Sequence, residues 1–428
     1  MRARHGLWIL SGLLLWLGCA RQIRKPTPPP EETVPAVPIV RVALTEKIDQ
    51  GTLSLNGTYL LRSEEATYIL NSSVGTFRVK VLGDKFVLAS RRRYFEFSQF
   101  QAIKLIPEKD SYFVWNDLPY DGNILFVKTE NGVAVVNELP MPEYLKGVVP
   151  NEIPSHTRDF FAAVEAQTVA ARSYAMYYLT HPVSPAYHLF ADVRHQVYLG
   201  RKNQSDLVTQ AIASTAGLVL VDAQGHPVRS EFHSTCGGYL ETEGNRPQVD
   251  GQSGTSYCAA SPFYRWMRTL SDRDVLRNLQ RLGRIQSEVF RRWMENGFEM
   301  TVQVQHRTAS GRVDRLQIIV NGKKFLLKNG EIRRVLTTDP GHPLPGTLFF
   351  LKKSRARADR MYVIGAGYGH GRGMCQWGAV GQALQGRSFR DILKFYYPDY
   401  HLKQLYQVTG QNRRAVSLKF EGGRKGDE

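Results

Sequence analysis

The chain has 428 residues, 42% of them apolar, which is ample for a packed core and suits roughly two or three structural units. That apolar share fits a folded protein. A formal net charge of +17 makes an anionic polymer a fitting partner, but charge alone leaves nucleic acid, anionic lipid and carboxylate-bearing wall glycan all open.

Arg2 and Arg4 precede an apolar run from Leu7 to Leu17, which is too short to span a bilayer and has the character of a signal peptide. The run ends in Leu15-Trp16-Leu17-Gly18-Cys19. This resembles a bacterial lipobox, so residues 1–19 are read as a lipoprotein signal peptide ending at Cys19, the residue that would carry lipid. Residues 20–39 contain Pro26, Pro28, Pro29, Pro30, Pro35 and Pro38 and read as an extended tether. At about 3.1 Å per residue, the stretch from Arg21 to Pro38 would reach roughly 55 Å from a membrane.

Residues 40–140 carry short apolar runs between turn residues and are expected to be β-rich. The clearest signal is a hairpin from Ile124 to Val127, through Asn131-Gly132, to Val133–Val136. Residues 141–405 are expected to form the core that carries the chemistry. Within them, Asp159 to Leu179 is alanine-rich and free of glycine and proline, which predicts a buried helix with Thr157 as its N-cap and Asp159 in its first turn. The preceding Pro150-Asn151-Glu152-Ile153-Pro154 is predicted to be a loop that delivers Glu152 to the start of that helix.

Ser271 to Met294 reads as a second helix closed by Asn296-Gly297. Leu316–Val320 and Lys323–Leu327 read as a hairpin about Asn321-Gly322, and the basic stretch Lys352–Arg360 as a solvated loop. Trp377–Gln385 is predicted to be a helix closed by Gly386, and Ser388 with Asp391 a capping box for Phe389–Tyr396. Residues 406–428 are polar, basic and expected to be a flexible tail. The fold class is therefore α+β: a β-rich N-terminal part, a central buried helix, and further hairpins and helices that together form a cleft.

Two segments depart from what a scaffold needs. Glu152 stands between two prolines and beside Val148, Val149 and Ile153, so partial burial would raise its pKa and keep it protonated as an acid; a solvent-exposed loop carboxylate is the plain alternative. The run Gly365-Ala366-Gly367-Tyr368-Gly369-His370-Gly371-Arg372-Gly373 lets backbone approach a ligand closely, with His370 as a contact or proton carrier; a glycine-rich turn with a hydrogen-bonded histidine is the plain alternative. A phosphate loop is excluded because the lysine and Ser/Thr of that motif are missing.

The remaining cysteines are Cys236, Cys258 and Cys375. In an exported chain a Cys236–Cys258 bridge is the simplest pairing. With His233, only three candidate metal ligands of unpaired spacing are in view, which ranks a disulfide above zinc. Cys375 reads as a small buried apolar residue, and a Cys375–His370 catalytic pair lacks an orienting partner. No metal and no cofactor are expected.

Both segments closely resemble the SpoIID/LytB family of sporulation stage II protein D and the amidase enhancer LytB. The resemblance continues through Asp192, Gln196, Tyr198 and Gly200, through His233-Ser234-Thr235-Cys236-Gly237-Gly238, through Ser261-Pro262, Trp266 and Ser310-Gly311-Arg312, and ends near Tyr397-Pro398. It implies a lytic transglycosylase whose catalytic glutamate lies in a Ser-Glu-Met-Pro motif, here matched by Asn151-Glu152-Ile153-Pro154. It also implies that Gln167, Arg172, Tyr174, His370 and Gln376 line a glycan cleft, although Gln167, Arg172 and Tyr174 suit equally a bracing role between helix and glycine run. The implied partners are peptidoglycan glycan strands, a membrane reached through a lipid anchor, and a cell-wall amidase, with no nucleic acid. The implied location is the bacterial cell envelope. Non-catalytic enhancement of an amidase is the competing role.

Overall fold

Alternation of apolar and polar residues through the first hundred residues of the folded part produces two large sheets. In the computed structural model, which describes residues 37–98, 100–241, 248–252 and 254–407, a seven-stranded sheet runs in the order Leu189–Phe190, Ile39–Thr45, Gly132–Pro140, Asn123–Thr129, Ala102–Pro107, Thr58–Arg62, Thr67–Asn71. Cys19, the expected signal peptide and the tail from residue 408 onward lie outside the described residues. A six-stranded sheet runs in the order Leu118–Tyr120, Tyr112–Trp115, Gln50–Asn56, Phe77–Leu82, Lys85–Ala89, Tyr94–Phe97. Phe86 from the six-stranded sheet lies 4.7 Å, ring to ring, from Phe126 of the other, and Trp115 lies 5.9 Å from the same Phe126. The sheets therefore share one aromatic core between their inner faces. The hairpin expected around Val127 and Val133 is present, with Thr129 paired to Gly132.

The strand Gly132–Pro140 runs directly into helix α1 (Met141–Glu152), which lays Met141, Tyr144, Leu145, Val148 and Val149 into the core. Here the structure corrects the sequence reading, because Glu152 ends a helix and does not sit in a loop. Pro150 occupies the last turn, where its missing N–H leaves only the Lys146 carbonyl without its intrahelical bond. Asn151 turns its amide back onto the Gly147 carbonyl at 2.7 Å. The residue that Pro154 forces out of helical geometry is Ile153, extended at φ −135°, ψ 144°, so the second proline sets where the helix stops.

Gly147 is the contact point of α1. A Cβ there would lie 2.5 Å from the Tyr198 ring and 2.8 Å from the Gly200 carbonyl. Gly147→Ala is accordingly expected to lower stability by about 1–3 kcal/mol through overpacking, read as a reduced Tm. An unchanged Tm would mean that the Tyr198 segment is not held against α1.

A single 3₁₀ turn, Arg158–Phe160, leads into α2 (Phe161–Thr180). Thr157 precedes that turn but makes no side-chain cap bond, contrary to its expected role. Residues 166–175 of α2 are buried without interruption, which its alanine-rich composition permits, and α2 packs against α1, α3 (Asp206–Ser214) and two later helices.

Residues 266–363 build a second apolar core. The single helix expected from Ser271 is split in two: Ser271 ends the strand Trp266–Ser271 and caps α4 (Asp272–Arg281) through a capping box with Asp274. Gly283, at φ 68°, then breaks the chain before α5 (Ser287–Asn296). The hairpin Val313–Val320 and Lys323–Lys328 follows as expected and leads to α6 (Gly330–Val335). The basic stretch Lys352–Arg360 is loop over residues 354–359, as expected, between the strands Phe349–Lys353 and Arg360–Gly365. Then come α7 (Gln376–Leu384) and α8 (Phe389–Tyr396), the latter capped by Ser388 and Asp391 as expected, and the strand His401–Gln404, which pairs with Leu218–Val221. Among the described residues no helix is long and apolar enough to cross a membrane.

Candidate functional site

Glu152 is half-buried at the C-terminal end of α1. Its Oε1 accepts the Val197 backbone N–H at 2.9 Å and its Oε2 accepts the Gln376 side-chain amide at 3.2 Å. Desolvation by its surroundings pushes the carboxyl above the usual glutamate range, partly offset by these two hydrogen bonds, which favour the charged form. The position at a helix C-terminus adds in the same direction as burial, since the helix dipole there disfavours negative charge. The carboxyl thus stays protonated to higher pH than an exposed glutamate, yet two fixed donors await its conjugate base.

Each donor has its own support. Val197 is presented by a segment anchored on both sides: the buried Tyr144 hydroxyl donates to Gln196 Oε1 at 2.8 Å, and the Tyr198 hydroxyl donates to Asn137 Oδ1 at 2.6 Å. Gln376 is the first residue of α7, whose N-cap is Cys375, with Sγ accepting the Gly378 N–H at 3.3 Å. The strand pair Phe232–His233 and Met374–Cys375 sets the height of that helix, and the Trp377 N–H donates to the Ser234 carbonyl. The glycine run is zipped into the fold by backbone pairing of Tyr368 with Thr235. At Gly373, φ 65°, a side chain would collide with the Glu231 carbonyl, so glycine is required there.

The structure brings Glu152 and Gln376 together but distributes the other expected cleft residues differently. Gln167 and Arg172 are fully buried and cannot line an open cleft. Arg172 instead donates to the carbonyls of Thr215 at 2.9 Å and Leu218 at 3.1 Å, tying α2 to the chain after α3. Tyr174 keeps only 5% of its surface and packs on Tyr178 and Phe232. Arg172 and Tyr174 follow the bracing alternative, because residues 166–175 of α2 are buried without interruption, whereas the buried Gln167 amide has no hydrogen-bond partner among the described residues. His370 is exposed, its Nδ1 accepting the Arg372 N–H at 3.1 Å and its ring 5.4 Å from that of His233.

Other acids that could assist Glu152 are engaged elsewhere. Glu143 pairs with Lys146 at 2.8 Å, Glu165 accepts the Ser214 hydroxyl at 2.6 Å, and Asp192 pairs with Arg194 at 2.7 Å. The feature that sequence reading missed is the Val197 N–H, since a backbone donor leaves no signature in the residue string.

The expected Cys236–Cys258 bridge is not formed. Both thiols are free, with Sγ atoms 3.6 Å apart, and Cys375 is free beside them. Asp250 joins this group, its Oδ2 accepting from Cys236 Sγ at 2.9 Å, and burial pushes its carboxyl up to about 6. The sequence reading counted a pair because it had no means to bring Asp250 and Cys375 to the same place.

Residues 129–221, which contain Glu152, α1, α2 and Val197, match the family described as Stage II sporulation protein, SpoIID. Residues 247–373 match a domain of unknown function, DUF8618. The chain is 28% identical over 373 residues to an uncharacterized protein of Brachyspira hyodysenteriae, covering 84% of this chain and 91% of that protein. It is 25% identical over 285 residues to the stage II sporulation protein D of Bacillus subtilis, covering 61% of this chain and 74% of the relative. It is 29% identical over 294 residues to the amidase enhancer of Bacillus subtilis, covering 59% of this chain but 39% of that longer protein. On these matches and on the motifs around Glu152 and Gln376, the chain is similar to proteins of the SpoIID/LytB family.

Proposed function

We propose that this protein acts on the bacterial cell wall as a lytic transglycosylase, cleaving peptidoglycan glycan strands with Glu152 as the single acid and base. The observation that carries this reading is the carboxyl itself: half-buried, raised in pKa, and held by two donors, with Glu143, Glu165 and Asp192 all committed to other partners. In the first half of the reaction the protonated Glu152 gives its proton to the glycosidic oxygen as the C1–O bond breaks. The Val197 N–H and the Gln376 amide hold the carboxylate that remains. In the second half that carboxylate removes the proton from the sugar's own 6-hydroxyl as its oxygen bonds to C1, which closes the 1,6-anhydro ring and restores the acid. No water is consumed, so no second carboxylate is needed to activate one.

The substrate that suits this chemistry is a strand stripped of its stem peptides, whose muramic acid lactyl groups expose carboxylates toward a chain of net charge +17. The motif ending in Cys19 supports placing the protein in the cell envelope as a lipid-anchored lipoprotein. A test is incubation of the purified protein with denuded glycan strands. Progressive shortening is expected. Intact strands, together with equal acceleration of a cell-wall amidase by wild type and by Glu152→Gln, would overturn the enzymatic reading. That outcome would install the enhancer reading, which the likeness to the amidase enhancer favours.

Gln376 is a positioning residue in this scheme, and its role can be read from a pH profile. Its hydrogen bond favours the charged carboxyl, so Gln376→Leu should raise the Glu152 pKa further. A general acid is active below its folded-state pKa and lost above it. The alkaline limb of kcat/KM should therefore move to higher pH in the variant. A lowered rate with an unmoved limb would mean that Gln376 serves packing alone.

A further inference from the structure

We propose that Cys236, Asp250, Cys258 and Cys375 form a closed four-coordinate site for a thiophilic divalent metal, zinc above all. Their donor atoms all lie within 4.8 Å of one another, and all four residues are buried. Tetrahedral zinc, with bonds of about 2.3 Å to sulfur and about 2.0–2.2 Å to oxygen, sets its donors roughly 3.5–3.8 Å apart. The Cys236–Cys258 separation of 3.6 Å already meets that spacing, and small side-chain rotations serve the other pairs.

The surroundings are built for thiolates. The Cys236 N–H points at Cys375 Sγ at 3.2 Å, the Gly238 N–H at Cys236 Sγ at 3.3 Å, the Gly378 N–H at Cys375 Sγ at 3.3 Å, and the Ser256 hydroxyl lies 3.2 Å from Cys258 Sγ. The Tyr396 hydroxyl donates to Asp250 Oδ1 at 2.7 Å, which leaves Oδ2 turned to the sulfurs. Such outer donors orient ligands around a metal. Gly378 completes the fit, since a Cβ there would come within 2.7 Å of the Asp250 carboxylate. A Cys236–Cys258 disulfide would use two of these groups and strand the Cys375 thiol and the Asp250 carboxylate in an interior where an uncompensated charge is costly.

The ligands also mark a place in the chain. Cys236 precedes residues 247–373, Asp250 and Cys258 lie at the start of that matched segment, and Cys375 follows its end. The metal would clasp the neck through which the chain leaves for the second core and returns. The residue after Cys375 is Gln376, the amide on Glu152, so the same clasp would fix the start of α7. With four protein ligands and no open position, its role is structural, and it holds whether or not Glu152 cleaves glycan.

The test is the metal content of the full chain purified without chelators, by inductively coupled plasma mass spectrometry, with mercurial-triggered release of zinc to a colorimetric chelator. Stoichiometric zinc is expected in wild type, lost in Cys375→Ser and lowered in Asp250→Asn. Cobalt substitution should give the intense thiolate-to-metal absorption of a tetrahedral site in wild type, a readout that does not depend on the variants folding. Wild type that is folded yet carries a Cys236–Cys258 crosslink in non-reducing peptide maps would overturn the site. So would free thiols that take up no zinc on titration.

Discussion

Replacing Glu152 by glutamine is expected to reduce strand cleavage by about 10²–10⁴-fold, the share that a general acid-base group commonly supplies, while glycan binding persists. Glutamine retains an oxygen for the Val197 N–H, and the Gln376 amide can turn its own oxygen toward the new amide, so the local packing survives. What disappears is the titratable proton. The same substitution has a signed effect on stability. The folded-state pKa of Glu152 is raised by burial, so its neutral form contributes stability that is present below the ordinary glutamate value and lost as pH rises through the folded pKa. Glu152→Gln carries no such penalty, and its Tm should overtake that of wild type as pH rises through that range. Thermal melts across pH would show this directly. A variant that is less stable at every pH would place the carboxylate, and not the acid, as the form the fold prefers.

Arg172→Met is expected to give the largest loss of stability among single substitutions in α2, about 3 kcal/mol or more. The guanidinium is fully buried and donates to the carbonyls of Thr215 and Leu218, so its loss removes both of these bonds from the interior, although the Thr215 carbonyl keeps the Leu218 N–H. Methionine fills similar volume but donates nothing. Urea unfolding should show a lowered midpoint, and cleavage per folded molecule should stay near wild type at temperatures where the variant remains folded. The opposite pattern, an unchanged midpoint with glycan binding lost, would make Arg172 a substrate ligand and refute the bracing role.

The sequence exposed whatever is written in local chemistry. The hairpin turns, the capping box at Ser388 and Asp391 and the buried alanine-rich helix all follow from residues close in the chain, and the structure contains them. Local rules misled where they competed. Pro150 argued against a helix at Glu152, yet a proline in a last turn forfeits one bond, and the packing of Tyr144, Leu145 and Val148 outweighs it. Long-range meetings were out of reach. Asp250 sits in no motif and joins the cysteines only through folding, and the Val197 N–H could be assigned to Glu152 only once the chain was seen to turn back past α1. For Arg172 the residue string left cleft and bracing roles equally open, and only its burial and its bonds to the Thr215 and Leu218 carbonyls favour bracing.

The central claim is that one carboxyl group cuts the strand without water, and the products of digestion in ¹⁸O-labelled water test it. Purified denuded strands incubated with the wild-type protein should yield fragments ending in 1,6-anhydro-muramic acid with no ¹⁸O incorporated, because the 6-hydroxyl replaces water as nucleophile. Fragments with reducing ends that carry ¹⁸O would contradict the account, since they require a second carboxylate to activate a water opposite Glu152.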